Sequence, residues 1–228
     1  EQGAQLLAEA VAAFQLALEV YSYQHLPIHW AMTQNNLAEA YTYLQDWQNT
    51  ADCYANVLKV YPDYEEAYKE AVHLYHNVLF NFSKAFDLNQ LWLEQHPDDL
   101  LEQIKFIEKL FTTSRFKECE TKATRFIENK DFSAIVHIVV GVINVGNQIG
   151  LQKTDQIPLQ IDSLYTIASR QPINFKIDWT FTGIKHFINQ NEHLAHHRQW
   201  LIHLFEAVEQ EDRESILAAL QAVRESWK

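Results

Sequence analysis

Three prolines set the strongest constraint on this chain. Pro27, Pro62 and Pro97 each close an apolar helical stretch, and both intervals between them are 35 residues. Proline lacks a backbone N–H and disfavours helix in the residue before it, so each one stops a helix. A stop recurring at a period in the 20–50 range predicts an array of helical hairpins, each too small to bury its apolar face alone. Only five glycines and five prolines occur in 228 residues. With so few breakers, and with 13% aromatic side chains, long helices packed through large side chains are expected.

The clearest unit spans 31–64 and contains TQNNLAEAYTYLQDWQNTADCYANVLKVYPDY. Leu37, Ala38 and Tyr41 give an apolar-small-aromatic pattern on a first helix, Asp46-Trp47 marks the turn, and Thr50, Tyr54, Val57 and Pro62 follow on a second. These positions resemble the tetratricopeptide repeat (TPR) family. The resemblance implies an all-α fold, an α-α superhelix of about twelve antiparallel helices. Small residues at 38 and 50 would let paired helices approach closely, with Tyr41, Trp47 and Tyr54 filling the wedge between pairs. Upstream, Ala10, Phe14 and Ala17 resemble a second helix whose partner is missing, so a piece of a longer array is expected. The stretch LALEVYSYQHLPIHWAMTQNNLAEAY is similar to bacterial, cyanobacterial-type TPR arrays fused to signalling or effector modules.

Weaker copies follow. Ala67 to Leu79 pairs with Phe82 to His96, and Leu100 to Thr113 pairs with Phe116 to Asn129, with Cys119 at the small position. The resemblance fades after 130. Residues 1–130 are therefore read as the repeat array and 131–228 as a divergent helical part with a C-terminal capping helix. Helices are expected at 132–149, 155–171, 175–190, 192–209 and 212–227, with the longest loop from Gly146 to Pro158. The last helix, opened by Asp212, would cover the final apolar face of the array.

The net charge of −12 opposes binding to a phosphate backbone, and no Lys/Arg cluster offsets it. Acidity of this kind keeps a chain soluble and would also favour a basic partner. Two cysteines, Cys53 and Cys119, are too few for a disulfide framework or a zinc site, and buried free thiols are expected. That usage, no visible leader and no apolar run near 18 residues lead to the expectation of a cytoplasmic chain that binds neither membrane nor nucleic acid.

A TPR array presents a concave groove lined by its first helices, and the resemblance carries groove positions onto Met32, Asn35, Glu39, Thr42 and Tyr43, then Glu66, Lys69, His73, His76 and Asn77. The expected partner-binding set is Asn35, Glu39, Tyr43, Lys69, His73, His76 and Asn77. Asn donates and accepts together, which suits an extended peptide backbone. A clamp for a peptide's C-terminal carboxylate would be incomplete, since Lys69 is the only clear cation in the set. The implied function is a protein- or peptide-interaction module that is not an enzyme and uses no cofactor. Its partner would be another protein or a further domain of the same parent chain.

Two alternatives compete. His193 and His197 lie four apart in NEHLAHHRQWLIH, the spacing at which two imidazoles on an α-helix share a face and can bind zinc. A metal-dependent enzyme would need a third ligand and a general base that no His-Glu-x-x-His motif supplies. A self-associating scaffold is the other. Gly141 and Gly146 sit inside a helical pattern with no Lys after them, so they serve close packing and not a phosphate cradle. Trp92 and Trp200 are expected in the core, and Trp227 is the aromatic best placed for an outside contact.

Overall fold

A computed structural model describes residues 2–210 and 212–226; Trp227, named above as an outside contact, lies beyond them. The described residues form twelve α-helices and no strand. Two compact units are present, Glu1–Glu102 and Gln103–Lys228. The division falls earlier than 130, where the motif fades.

The first unit contains α1 (Gln2–Val20), α2 (Pro27–Tyr43), α3 (Trp47–Val57), α4 (Glu65–His73) and α5 (Phe82–Gln95). Pro27 stands in the first turn of α2, where its missing N–H costs nothing. Each successive helix packs on the one before it. The approach is close because Ala38, Ala51, Ala67, Ala71 and Ala85 are fully buried along the contacts. Tyr54 is buried with them, but the wedge is not filled as expected. Trp47 opens α3 and stays 37% exposed. Tyr41 is half-buried, its hydroxyl accepting a 2.9 Å hydrogen bond from the Gln15 side chain.

The helices are joined by a recurring turn. Gln45, Phe80 and Ser114 all adopt a left-handed backbone, with φ of 57°, 52° and 58°. After α2, the Gln45 N–H reaches the Thr42 carbonyl and the Asp46 N–H reaches that of Tyr41, which satisfies two orphan carbonyls of the helix end. Asp46 then caps α3 by accepting from the Asn49 N–H. Asn81 does the same for α5 through the Lys84 N–H. Between these two turns, a π turn at Leu74–Val78 extends α4, and the Asn81 N–H reaches back to the Tyr75 carbonyl. A π turn takes up one extra residue within a helix.

The next helix, α6 (Leu100–Thr112), begins in the first unit and continues into the second. There follow α7 (Phe116–Glu128), α8 (Ala134–Gly150), α9 (Ile157–Ser169), α10 (Thr182–Gln190), α11 (Arg198–Glu209) and α12 (Arg213–Ser226). The core of the second unit is α8, buried from Ile138 to Ile149 and packed on α7, α9 and α11. Gly141 and Gly146 make that packing possible. A Cβ on Gly146 would stand 2.9 Å from the Phe111 ring, which is fully buried. α12 covers α9 with Ile216, Ala219, Leu220 and Val223, and Arg213 donates to the Ala168 and Ser169 carbonyls at the α9 C-terminus.

Three sequence expectations need correcting. Gly146 to Pro158 is not the longest loop. α8 runs through Gly150, Gln152 makes another left-handed turn at φ 60°, and Pro158 sits in the first turn of α9. The helix expected from 175 begins only at Thr182. The residues before it alternate, with Phe175, Ile177, Trp179 and Phe181 turned inward and Lys176, Asp178 and Thr180 outward. That period of two belongs to extended chain. The Trp179 indole there donates to Glu108 at 2.5 Å. Thirdly, Gly3–Val20 of α1 is 18 residues long and apolar enough to cross a membrane by length and composition. Glu9 and Glu19 interrupt its apolar run and hid this length from a simple scan.

Candidate interaction surface

In the first unit, α2 and α4 both pack on α3 and present polar faces to solvent. On α2, Asn35 is half-buried, Glu39 is exposed and Tyr43 is 76% exposed. The Asn35 amide donates to Glu39 at 3.0 Å, one turn away, which fixes the carboxylate on the face. On α4, Glu66 and Lys69 are exposed, and Lys69 is paired at 2.5 Å with Glu65, which leaves no unpaired cation there for a carboxylate clamp.

The end of α4 departs from the expected arrangement. His73 is exposed, but His76 is only 2% exposed and packs edge-on against the Phe82 ring. The π turn is the cause. Its wider winding rotates residue 76 away from the face that 69 and 73 share. Asn77 is half-buried, within hydrogen-bonding reach of His76 at 3.1 Å and of His73 at 3.4 Å. His76 is therefore corrected to an interior residue, and Asn77 is engaged by its two histidine neighbours.

Between the two faces lies Tyr54 of α3. Its ring is buried, at 8% exposure, and its hydroxyl has no hydrogen-bond partner among the described residues. Burial, together with the carboxylates of Glu70, Glu39 and Glu66, pushes the phenol up to about 12. Tyr64 donates to Glu66 at 3.0 Å. Sequence reasoning named Glu39 and Glu66 but missed Tyr54 and Glu70 as surface-forming groups. Tyr54 reads as core by its spacing, and only the packing of α2 and α4 on α3 shows where its hydroxyl emerges.

The first unit also carries a cleft of about 470 Å³ lined by α3, α5 and Tyr75. At its edge Asp52 accepts from Tyr75, from Lys84 at 2.5 Å and from Gln48 at 2.8 Å. Burial alone would raise the Asp52 carboxyl. The hydrogen bonds from Lys84, Tyr75 and Gln48, with the Lys84 charge, outweigh it and hold the group below the usual carboxylate value.

In the second unit the histidine-rich segment is a 3-10 turn, Glu192–His197, leading into α11. With three residues per turn, positions 193 and 197 do not stack as they would on an α-helix. His197 instead lies 3.3 Å from the Trp200 indole nitrogen, and burial with the nearby His196 lowers its proton affinity. Trp200 is half-buried there, and Trp92 is in the core at 6% exposure. Among the described residues, no three His, Cys, Asp or Glu side chains come together to hold a metal. Cys53 and Cys119 are buried free thiols, and burial first, then nearby carboxylates, raises both above the usual thiol range. A thiol kept protonated in this way is a poor nucleophile.

Comparison with protein-family models, with curated proteins and with solved structures gives no match.

Proposed function

We propose that this chain is an interaction module of the TPR type, which holds an extended segment of another protein, or of its own parent chain, against α2 and α4. The observation that carries the reading is the exposed row formed by Glu39, Tyr43, Glu66 and Lys69, with half-buried Asn35 beside it, on two helices that share α3 as their support. A large exposed aromatic among polar groups, set on a rigid helical frame, suits peptide recognition. The repeat reading is supported by the left-handed turns at 45, 80 and 114, which recur at nearly the period of the prolines. Selection of peptides from a random 12-residue library by the whole chain tests the proposal. Retention should fall at least tenfold in a folded Asn35→Ala, Tyr43→Ala, Lys69→Ala variant. Equal retention by both proteins would refute it.

A second reading rests on α1. Leu6, Leu16 and Val20 are 61%, 63% and 69% exposed on a helix whose other face packs on α2. Such a face supports a self-associating scaffold. Light scattering tests this: a mass that rises with concentration in wild type, and not in Leu6→Glu, Leu16→Glu, would favour it. A constant monomer mass would exclude it.

A further inference from the structure

The cleft of the first unit and the bare face of α1 match in length and in charge. α3 and α5 both pack on α4 and its π turn, which leaves a groove between them. The α3 wall runs from Asp52 to Lys59 and the α5 wall from Lys84 to Leu91. Each wall advances seven residues, or about 10 Å at the helical rise. Leu58 and Leu88 form an apolar floor, half-buried against the Tyr68, Val72 and Trp92 cluster, and Leu91 on the rim is 57% exposed. α1 offers a ridge of the same length. Ala13, Leu16 and Val20 share one exposed face, again seven residues from first to last, with Leu16 and Val20 63% and 69% exposed. The Lys59 ammonium donates to the neutral Asn56 side chain at 2.7 Å and stands 5.9 Å from the Trp30 ring; no carboxylate pairs with it among the described residues. Glu19, beside Val20, has no hydrogen bond or ion pair among the described residues, and Gly3–Val20 contains no Lys or Arg. Asp87 on the α5 wall is also unpaired and repels a carboxylate laid along α5, which directs Glu19 to the α3 side.

We infer that the C-terminal half of α1 docks into the α3–α5 groove of a second copy of this chain, with Leu16 and Val20 on Leu58, Leu88 and Leu91, and Glu19 beside Lys59. The inference rests on the self-association reading above and names the surface that receives α1. An amphipathic helix laid in an apolar groove is a recurring mode of association. The ridge and the groove lie on different helices of one chain, and α1 packs on α2 with its other face. The contact is therefore head-to-tail. Each copy can use both surfaces, which builds open-ended chains and not closed dimers. A contact of two helical turns is smaller than the interface of a stable dimer, so association belongs in the range of about 10–100 μM.

The test is sedimentation velocity of the whole chain from about 5 to 500 μM at about 150 mM salt. Wild type should grow in mass without a plateau. Leu91→Glu, which spoils the groove, and Leu16→Glu, Val20→Glu, which spoils the ridge, should each weaken association at least about tenfold. All three positions are exposed, so the variants should fold. An equal mixture of the two variants holds one intact ridge and one intact groove, and it should form a 1:1 pair that grows no further. Lys59→Glu and Glu19→Lys should each weaken association about threefold, and the two combined in one chain should restore it. No pairing in the mixture, with Leu91→Glu still associating, would show that α1 faces pack on each other. That result would overturn the inference and leave the self-association reading standing. A constant monomer mass in wild type would overturn both, and capture of that monomer by phosphatidylcholine vesicles would then assign the α1 face to a lipid surface.

Discussion

Tyr68→Phe isolates one polar network that supports the candidate surface. Tyr68 of α4 is 2% exposed and stacks on Trp92 of α5 with ring centroids 4.2 Å apart. Its hydroxyl donates to Glu102 and accepts from the Asn89 amide at 2.7 Å, and Asn89 also reaches Glu102 at 3.2 Å. Asn89 and Glu102 are 0% and 3% exposed, so water cannot readily replace a lost partner. Phenylalanine keeps the ring, its stacking and its apolar burial, so the hydroxyl alone is removed. A hydrogen bond to a charged group contributes about 1.5–3 kcal/mol, and a buried group left unpaired costs a similar amount. Since Asn89 still contacts Glu102, the net loss should be about 2 kcal/mol. Urea unfolding should show the loss as a midpoint lower by roughly 1 M at a typical slope. Hydrogen exchange should place it in α4 and α5, with α8 unchanged. A double-mutant cycle with Glu102→Gln should give a coupling of at least about 1 kcal/mol. A loss below about 0.5 kcal/mol, or strict additivity in the cycle, would refute the reasoning.

Further outcomes follow from the same packing. Gly146→Ala gains helix propensity of about 1 kcal/mol, but its Cβ meets the buried Phe111 ring, so thermal unfolding should reveal a net loss of about 1–2 kcal/mol. Phe111→Leu should relieve part of that loss. Asn147 of α8 is fully buried with neither amide atom paired among the described residues; Asn147→Leu should raise stability by about 1 kcal/mol in chemical denaturation, and a loss would mean that the amide has a polar partner. Asp52→Asn should cost under about 1 kcal/mol at pH 7, because the Asp52 and Lys84 side chains are 40% and 47% exposed and solvent screens the pair. The Asp52 carboxyl is depressed in the folded state, so its contribution is present above the unfolded value near 3.8 and is lost as pH falls through the lower folded value. The difference between wild type and variant should therefore be flat from pH 5 to 8 and shrink below about pH 4.

Proline spacing and apolar period were enough to place most helices, because helix stops and amphipathic faces are local properties of the chain. They located α2 to α9 and α12 closely, and the small residues of the first unit were legible as contact points. The left-handed backbone at Gln45, Phe80 and Ser114 was not legible, since none of them is the glycine that usually marks it. Backbone hydrogen bonds that close each helix end, such as those from the Asp46, Asn81 and Arg115 N–H groups, accompany the conformation. The extended run before α10 could have been read from its period of two, but an expected helix masked it.

The candidate surface divides along the same line. The repeat resemblance carried Asn35, Glu39, Tyr43 and Lys69 onto α2 and α4, where Glu39, Tyr43 and Lys69 are exposed and Asn35 is half-buried. Which of them are free to meet a partner was decided by neighbours. One pairing, Lys69 with Glu65, removes a cation. One extra residue in α4 turns His76 inward. Two helices laid against α3 bury the Tyr54 ring, and the carboxylates they carry raise its phenol further. Sequence determined the helices, their ends and their polar faces through interactions a few residues apart. Tertiary structure alone decided which charges meet, because that depends on distances between helices that the chain's local pattern does not encode.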